Sequence, residues 1–409
     1  MEDTAAILCK NYTGQHSERG KIVSLTVPVV CDLVCRYTKK CSVKCFVLAV
    51  LGTFAFLFLF QRKQFNSLQK VTEKTEYVYT ETTDTQFESQ QPIPLLECKD
   101  TSASDMPGFS KLPDHIKDFL RYKNCRSFPV LQNAPMKCGG PEQSDKVFLL
   151  LVIKSSPRSY TRRETIRKTW GQERTYAGVQ IRRVFILGSS SNQNENKKIQ
   201  QLLSVESEEN ADILQWDFYD TFFNLTLKHE WLQKTCPHVK FLLNGDDDVF
   251  VNSDAMVDYL LGLEGNQGDK HLFVGQLVWN PVVKHDKSSK YCVPEAVAPG
   301  NGYPPYCAGG GFLLSGFTAR EIYRASQNIT LLPIDDIYIG MCLQKESLSP
   351  ASHFGFRTGG LDLPSSSKNS FDPCYYREFL LIHRLMPYEI VMMWKAIHDP
   401  TLKCGISVP

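Results

Sequence analysis

The sequence predicts an α/β protein in which a mostly parallel central sheet is flanked by helices, behind an N-terminal transmembrane helix. After about residue 145, apolar strand-like runs alternate with helical stretches, as they do where crossover helices cover both faces of a parallel sheet. Nearer the N-terminus, residues 45–60 form an uncharged and mostly apolar run, CFVLAVLGTFAFLFLF. The formal net charge is only +2 over 409 residues, so nothing indicates nucleic acid as a partner.

Residues 45–61 are predicted to be a single-pass membrane anchor that follows a cytoplasmic tail, residues 1–44. The span is short, because a hydrocarbon core of about 30 Å needs roughly 20 helical residues, but basic residues on both flanks can snorkel to the surface. A signal peptide fits less well, since the segment starts late and no small-residue cleavage site follows it directly. A buried core helix is the remaining alternative. The positive-inside rule favours a cytoplasmic N-terminus by a small margin.

Residues 62–144 are predicted to form a stem and an irregular lead-in. The first part, residues 66–92, is rich in Thr, Glu, Gln and Ser and holds few large aliphatic residues, so it cannot bury enough apolar surface to fold alone. From about residue 95 to residue 140, prolines and three cysteines indicate an irregular segment that disulfides tie down.

The part of the chain after the anchor has the features of a lumenal, oxidised domain. Nine of the 14 cysteines lie there and none forms a C-x-x-C pair, which predicts disulfides rather than a zinc site. Nine is odd, so at least one thiol is free or pairs between chains. Sequons at Asn224 and Asn328 predict N-glycosylation, whereas the Asn11 sequon would be cytoplasmic and unused.

The folded lumenal domain is predicted to occupy residues 145–409. Continuous apolar runs, which are typical of buried strands, predict strands at residues 147–153, 182–188, 212–218 and 239–244. Helices are predicted from Ser159 or Thr161 to Gly171, over residues 222–235, and over residues 335–345. Ligands on such sheets bind beyond the carboxyl ends of the strands, which is where the site is expected.

Three carboxylates, Asp246, Asp247 and Asp248, follow the fourth predicted strand. Charges of one sign this close together repel one another, and a hard divalent cation is the simplest neutraliser. Alternate residues at a strand end point the same way, so Asp246 and Asp248 are predicted to hold Mn²⁺ or Mg²⁺. The alternative is a solvated acidic turn or helix cap.

The chain is similar to the Golgi β-1,3-glycosyltransferases, and most like the β-1,3-N-acetylglucosaminyltransferases among them. Four stretches in the family's order carry the resemblance: RRETIRKTWG (162–171), FLLNGDDDVFVN (241–252), YPPYCAGGGFLLSG (303–316) and IDDIYIGMCLQK (334–345). The resemblance implies a GT-A type fold, type II topology in the Golgi membrane, a UDP-sugar donor and Mn²⁺ or Mg²⁺. It also implies inverting transfer to the 3-hydroxyl of an acceptor, usually galactose.

The resemblance also assigns roles at the site. Inversion in one displacement needs a base on the acceptor side, and family position assigns it to Asp336, with a capping or supporting role for Asp335. The alternative is that Asp335 and Asp336 both cap the helix. In the resembling enzymes a histidine placed like His383 completes the metal site, whereas a lone strand histidine is otherwise usually structural.

Further residues are predicted to bind the donor. Lys154 ends the first strand, Arg163 and Arg167 are four apart on one helix face, and the glycine run leaves no side chain between backbone and ligand. Surface salt bridges for the arginines, and a plain turn or bulge for the glycines, are the alternatives. The predicted donor-binding set is Lys154, Arg163, Arg167, Asp246, Asp247, Gly309 and Gly310.

The predicted function is therefore transfer of N-acetylglucosamine from UDP-GlcNAc in β-1,3 linkage to a galactose-terminated glycan of a glycoprotein or glycolipid. Protein O- or N-glycosylation and poly-lactosamine synthesis are the settings that the resemblance implies. Homo- or hetero-oligomers with other Golgi transferases are also expected. Two alternatives stay open: a β-1,3-galactosyltransferase of the same fold, and a non-catalytic Golgi glycan-binding or chaperone partner.

Overall fold

The computed structural model describes residues 99–125, 128–189, 193–219, 224–286, 289, 291–295, 297–359 and 371–405. They fall in one compact unit, Gln90–Pro409. Within the described ranges no helix combines the length and the apolar character that crossing a bilayer requires. The predicted tail, residues 1–44, and the predicted anchor, residues 45–61, lie outside those ranges.

The elements alternate through the domain as the apolar runs predicted. The helices are α1 (Asp114–Tyr122), α2 (Tyr160–Lys168), α3 (Gln193–Asn210), α4 (Asn224–Thr235), α5 (Ser253–Leu261), α6 (Gly316–Ser326), α7 (Asp335–Lys345), α8 (Pro373–Glu378) and α9 (Pro387–Ile397). The strands are β1 (Val130–Gln132), β2 (Val147–Lys154), β3 (Arg174–Tyr176), β4 (Val179–Ser189), β5 (Ile213–Tyr219), β6 (Phe241–Asp246), β7 (Val249–Val251), β8 (Phe273–Val278), β9 (Tyr306–Ser315), β10 (Ala351–Ser352), β11 (Phe356–Arg357) and β12 (Leu381–His383).

The large sheet has the strand order β1-β5-β4-β2-β6-β9-β8-β10, and β3 pairs with β4. Its centre, β5-β4-β2-β6, is parallel, while β9 pairs antiparallel with both β6 and β8. β1 and β3 are also antiparallel to their partners. The predicted mostly parallel sheet is therefore confirmed at the centre, and the sheet as a whole is mixed.

The central strand β2 is buried on both faces, which explains its unbroken apolar run. On β2, Leu150 and Val152 join one hydrophobic cluster, whereas Leu149 and Leu151 join the cluster on the opposite face. Helices α4, α6 and α7 contribute to the first cluster, and α5 and α9 to the second. Because side chains alternate along a strand, a strand covered on both faces needs apolar residues at every position.

Residues 99–125 and 128–144 contain more regular structure than the irregular lead-in that the sequence predicted. Phe119 and Leu120 on α1 are fully buried in the first cluster, and β1 pairs with β5 at the sheet edge. A disulfide joins Cys138 to Cys236 across the N-terminal side of the domain. Short elements of this kind gain their stability from packing, so their sequences alone gave little signal.

The disulfide prediction is confirmed within the described residues. A second bridge joins Cys374 to Cys404, and Cys125 is also disulfide-bonded. The described free thiols are buried and belong to Cys292, Cys307 and Cys342.

A small second sheet, in the order β11-β12-β7, lies beyond the end of β6. β7 follows β6 after a tight turn and pairs antiparallel with β12, so that Val249 is opposite His383. This pairing brings a histidine from near the C-terminus next to the aspartates of the β6–β7 turn.

Candidate active site

The site begins where β2 and β6 end side by side. Lys154 and Asp246 are the last residues of these strands and stand opposite each other in the parallel register. The Lys154 ammonium lies 2.8 Å from an oxygen of Asp246 and 2.8 Å from an oxygen of Asp335, at the start of α7. Burial alone would lower the pKa of Lys154, but these two carboxylates outweigh it and the pKa is raised. Lys154 therefore joins the β6 carboxylates to α7.

Asp246, Asp248 and His383 form a group whose ligand atoms lie within 4.8 Å of one another. His383 Nε2 lies 2.9 Å from Asp248 Oδ1 and 3.9 Å from Asp246 Oδ2. His383 Nδ1 lies 2.9 Å from the carbonyl oxygen of Thr358. A carbonyl oxygen can only accept, so Nδ1 carries the proton and Nε2 faces the two carboxylates. This arrangement is the one metal-ligating histidines adopt.

The chemistry of the three side chains suits a divalent cation. The hydrogen bond to Asp248 outweighs burial and raises the pKa of His383. For Asp248, burial opposes ionisation, but His383 outweighs it and the pKa is lowered. Both shifts come from attraction between the imidazole and the Asp248 carboxylate, and a divalent cation at the same place would attract both carboxylates more strongly. Two carboxylates and one imidazole are ligands that Mn²⁺ and, through the oxygens, Mg²⁺ accept.

Asp335 and Asp336 open α7 but point to different partners. Ile334, not Asp335, occupies the N-cap position, and Asp335 pairs with Lys154 instead of capping the helix. Asp336 accepts hydrogen bonds from the backbone N–H groups of Gly309, at 2.8 Å, and Ile337, at 2.9 Å. Asp336 is therefore fixed against the glycine run of β9.

The two carboxyl groups also differ in acidity. Burial, and next the negative charge of Asp335, raise the pKa of Asp336 to about 6. Asp335 is partly buried, but its ion pair with Lys154 outweighs the effect of burial and lowers its pKa. Neighbouring carboxyls whose environments push their pKa values apart are a recurring feature of acid–base sites.

A cavity of about 540 Å³ joins these groups. Its wall includes the metal candidates Asp246, Asp248 and His383 and the α7 carboxyls Asp335 and Asp336, together with Lys154, Gly309, Tyr303, Tyr306, Tyr291, Lys284, Thr358 and Arg384. Among the sequence-predicted residues, the structure therefore brings the metal candidates, the base candidate, Lys154 and Gly309 into one space.

The glycine run forms an irregularity in the pairing of β8 with β9. Gly275 is opposite Phe312 and Leu277 is opposite Cys307, so β9 has extra residues between them. Gly310, inside this bulge, has a φ of +112°, and a Cβ atom there would lie 3.0 Å from His383 Nδ1. Only glycine fits both the backbone and the space.

Asp247 faces away from the cavity. One of its oxygens accepts a 2.8 Å hydrogen bond from the Ser155 hydroxyl, and the other lies 3.8 Å from Arg162 Nε. Burial raises the pKa of Asp247. This placement differs from the donor contact expected from the sequence, and it fixes the β6–β7 turn against α2.

Arg163 and Arg167 are also placed differently from the sequence-based expectation of donor contact. Arg163 is fully buried and makes two 2.7 Å hydrogen bonds to Glu206 of α3. Arg167 is bonded to Asp212 and Glu206, and it stacks over the ring of Phe185. Neither arginine is part of the cavity wall. The face they share on α2 points into the domain, where Glu206 of α3 and Asp212, just before β5, supply the buried carboxylates.

Sequence reasoning did not single out Lys228 and Asn244, which lie just behind the site. The Lys228 ammonium is buried and donates to the Asn244 side chain on β6, two residues before Asp246. Burial, and next the charge of Lys154, lower the pKa of Lys228 to about 7. Thr358 and Arg384 were missed too. Lys228 carries no local signal, and a buried lysine in a helix is detectable only once the partner strand is known.

The sequons at Asn224 and Asn328 lie at different helix ends. Asn328 is exposed just beyond the end of α6, and Asn224 begins α4. N-glycosylation at either residue stays a prediction.

Comparison with known proteins gives a consistent set of relatives. The galactosyltransferase family profile matches residues 161–353. The human N-acetyllactosaminide β-1,3-N-acetylglucosaminyltransferase 3 is 49% identical over 320 residues, which are 77% of this chain and 84% of that protein. The human acetylgalactosaminyl-O-glycosyl-glycoprotein β-1,3-N-acetylglucosaminyltransferase is 50% identical over 309 residues, 74% of this chain and 79% of that protein. The mouse UDP-GlcNAc:βGal β-1,3-N-acetylglucosaminyltransferase 7 is 42% identical over 308 residues, 74% of this chain and 75% of that protein.

Proposed function

The chain belongs to the galactosyltransferase family, and from its similarity to the β-1,3-N-acetylglucosaminyltransferases we propose that it transfers N-acetylglucosamine from UDP-GlcNAc, in β-1,3 linkage, to a galactose-terminated glycan. The observation that carries the proposal is that one cavity is lined both by the Asp246, Asp248 and His383 group and by Asp336. The fold assigned is of the GT-A type, which the motif resemblance and the carboxyl-end position of the aspartates support.

Asp336 acts as the general base. In an inverting displacement, the acceptor 3-hydroxyl oxygen forms a bond to the sugar C1 while the bond from C1 to the diphosphate breaks. The hydroxyl proton passes to a carboxylate oxygen of Asp336. Hydrogen bonds from Gly309 and Ile337 hold that carboxylate in place, and each of its oxygens keeps a lone pair for the proton. General-base catalysis of this kind typically contributes about 10²–10⁴-fold.

We assign the donor to the part of the cavity around the cation site. Mn²⁺ or Mg²⁺ held by Asp246, Asp248 and His383 would neutralise the charge that grows on the departing diphosphate. Lys154 holds the Asp246 carboxylate in place through its 2.8 Å ion pair. Gly309 and Gly310 leave the bulge of β9 without side chains, which allows a sugar ring close to the backbone.

The acceptor side is assigned to the aromatic wall beside Asp336. Tyr303 and Tyr306 line the cavity there and offer flat apolar faces of the type on which sugar rings stack. The acceptor glycan beyond its terminal galactose, and membership of an oligomer with other transferases, are further parts of the proposal.

We also place the protein in the Golgi membrane with single-pass type II topology. The described disulfides support a lumenal domain, because such bonds persist in oxidising compartments. The predicted anchor, residues 45–61, supports the membrane assignment.

The test is a transfer assay with purified full-length protein, UDP-GlcNAc, Mn²⁺ and a β-galactoside. We expect UDP release that depends on the acceptor, and a product whose NMR spectrum shows a β-1,3 linkage. Chelation by EDTA and the Asp248→Ala substitution should each abolish transfer, because each removes the cation from the site. Full activity of metal-stripped protein in EDTA would contradict the metal assignment.

The same assay separates the alternatives. Turnover of UDP-galactose in preference to UDP-GlcNAc would identify a β-1,3-galactosyltransferase of the same fold. Glycan binding without turnover of either donor would identify a non-catalytic partner, although the complete set of Asp246, Asp248 and Asp336 argues against that result.

A further inference from the structure

The bulge in β9 faces a glutamine on β8 whose side chain the reaction itself does not use. Gln276 lies between Gly275 and Leu277, where the register of β8 and β9 shifts. Its side-chain oxygen accepts three hydrogen bonds, from the Thr358 N–H at 2.7 Å, the Thr358 hydroxyl at 3.0 Å and the Gly359 N–H at 3.3 Å. One amide oxygen thus fixes the backbone of two successive residues.

The segment that Gln276 fixes is the one that orients His383. The Thr358 carbonyl accepts the hydrogen bond from His383 Nδ1 at 2.9 Å, so the position of this carbonyl sets both the ring orientation and the tautomer. On the other side, Gly310 lies against His383, because a Cβ atom added at this position would come within 3.0 Å of Nδ1. His383 therefore lies between Thr358, which accepts its hydrogen bond, and Gly310 of the β9 bulge.

We propose that Gln276 is a positioning residue of the cation site, acting through Thr358 on His383. The chain of contacts runs from the Gln276 amide oxygen to the Thr358 backbone, and from the Thr358 carbonyl to the His383 ring. Without Gln276, Thr358 and Gly359 lose their shared acceptor, and the carbonyl no longer holds Nε2 toward Asp246 and Asp248. The proposal rests on the cation site of the proposed function.

The Gln276→Leu variant measures the effect, since leucine keeps the size but accepts no hydrogen bond. Loss of such an outer partner of a metal ligand typically costs about 10–100-fold in metal affinity. We expect the Mn²⁺ dissociation constant, measured by electron paramagnetic resonance in the presence of UDP, to rise by that factor. The Gln276→Glu variant keeps an acceptor oxygen in the same place and should restore affinity to within about threefold of wild type, a small part of that range.

A matched control is Gln215→Leu, on β5 of the same sheet. Gln215 is fully buried, and its amide donates to the Gly188 carbonyl at 2.9 Å, away from the cavity. This variant should lose stability but keep wild-type Mn²⁺ affinity. If Gln276→Leu does not fold, Gln276→Asn serves instead, because its shorter side chain cannot reach all three donors, and an intermediate loss of affinity is expected.

Unchanged Mn²⁺ affinity in folded Gln276→Leu, or in folded Gln276→Asn where the leucine variant fails, would overturn the proposal and leave the proposed function intact. A second readout is independent of the cation. In metal-free protein at alkaline pH, the ¹⁵N shifts of His383 should report protonation at Nδ1 in wild type and a mixture of tautomers in Gln276→Leu. A wild-type protein that binds no Mn²⁺ would overturn the cation site itself, and an unchanged tautomer would overturn the positioning role.

Discussion

Asp335 and Asp336 are adjacent in the sequence, yet their carboxyl groups have opposite electrostatic environments. The first forms an ion pair with Lys154, whereas the second receives only backbone N–H groups and lies close to the charge of the first. The sequence identified the pair and family position chose Asp336. The separation of their pKa values depends on where Lys154 lies, because an ion pair across 181 residues of chain leaves no trace in the local sequence.

The Asp336→Asn variant should lose turnover by about two to four orders of magnitude, the range expected when a general base is removed. Asparagine is nearly the same size but cannot accept the proton. Affinity for UDP with Mn²⁺ should stay near wild type, since Asp246, Asp248 and His383 are unchanged. Activity of the folded variant within tenfold of wild type would place the base elsewhere.

The same residue controls the pH dependence of wild type. Because the base must be ionised and its pKa is raised to about 6, kcat/KM should fall as the pH drops through about 6. In Asp335→Asn the neighbouring negative charge is gone, so the pKa of Asp336 falls and the acid limb should move to lower pH. Saturating Mn²⁺ keeps protonation of the metal ligands from setting the limb. An acid limb that does not move would remove Asp335 as its cause.

At the scale of elements, α2 shows that residue spacing identifies a shared helix face but not what that face contacts. The spacing of Arg163 and Arg167 predicts one shared face, and the structure confirms the shared face. The face is covered by Glu206 of α3 and by Asp212, not by the cavity. Spacing gives the phase of a helix but not its rotation relative to the sheet, and the buried carboxylates come from elements 40 or more residues away.

Substitution of Arg163 by leucine should lower the free energy of unfolding by about 3–5 kcal/mol. The change removes one of the two guanidinium groups that pair with the buried Glu206, while Arg167 remains. It also leaves the Ser155 hydroxyl and the Ser156 carbonyl without their Arg163 donor, and breaking a buried ion pair by removing one member typically costs that much. Urea unfolding measures the loss. The affinity of the remaining folded protein for UDP should be unchanged. A weakened affinity at full stability would instead restore a donor-binding role for this arginine.

The control for α2 is Lys168→Ala on the same helix. Lys168 is exposed and pairs with Glu164 at 3.1 Å on the surface. Its loss should change the free energy of unfolding by no more than about 0.5 kcal/mol, as is usual for surface positions.

At the scale of the whole molecule, the orientation of the chain across the membrane can be tested with its own sequons. Asn328 is exposed just after α6, on the side of the predicted anchor that carries the disulfides. Glycosidase treatment of protein made in secretory cells should increase its gel mobility, and Asn328→Gln should remove part of that shift. The matched control is Asn11→Gln, before the predicted anchor, which should change nothing. If Asn11→Gln removes part of the mobility shift and Asn328→Gln does not, the topology is the reverse of the predicted one.

The sequence by itself determined the α/β alternation, the strand that ends in the aspartates and the family. These follow from local patterns: apolar runs report burial on both faces, and four short motifs report the chemistry they carry. It also named Asp246 and Asp248, because they follow a recognisable strand, and the family resemblance selected Asp336 from the two aspartates that open a recognisable helix.

Only the tertiary structure decided which side chains meet. It joined Lys154 to Asp335, brought His383 to the aspartates through the pairing of β12 with β7, and set Gln276 behind that histidine. It also turned Arg163 inward, toward a carboxylate from α3. The physical reason is that hydrogen bonds and ion pairs act over about 3 Å in space, whatever the separation along the chain. A single sequence gives the residue types of a site, but the distances between their side chains are set only when the chain folds.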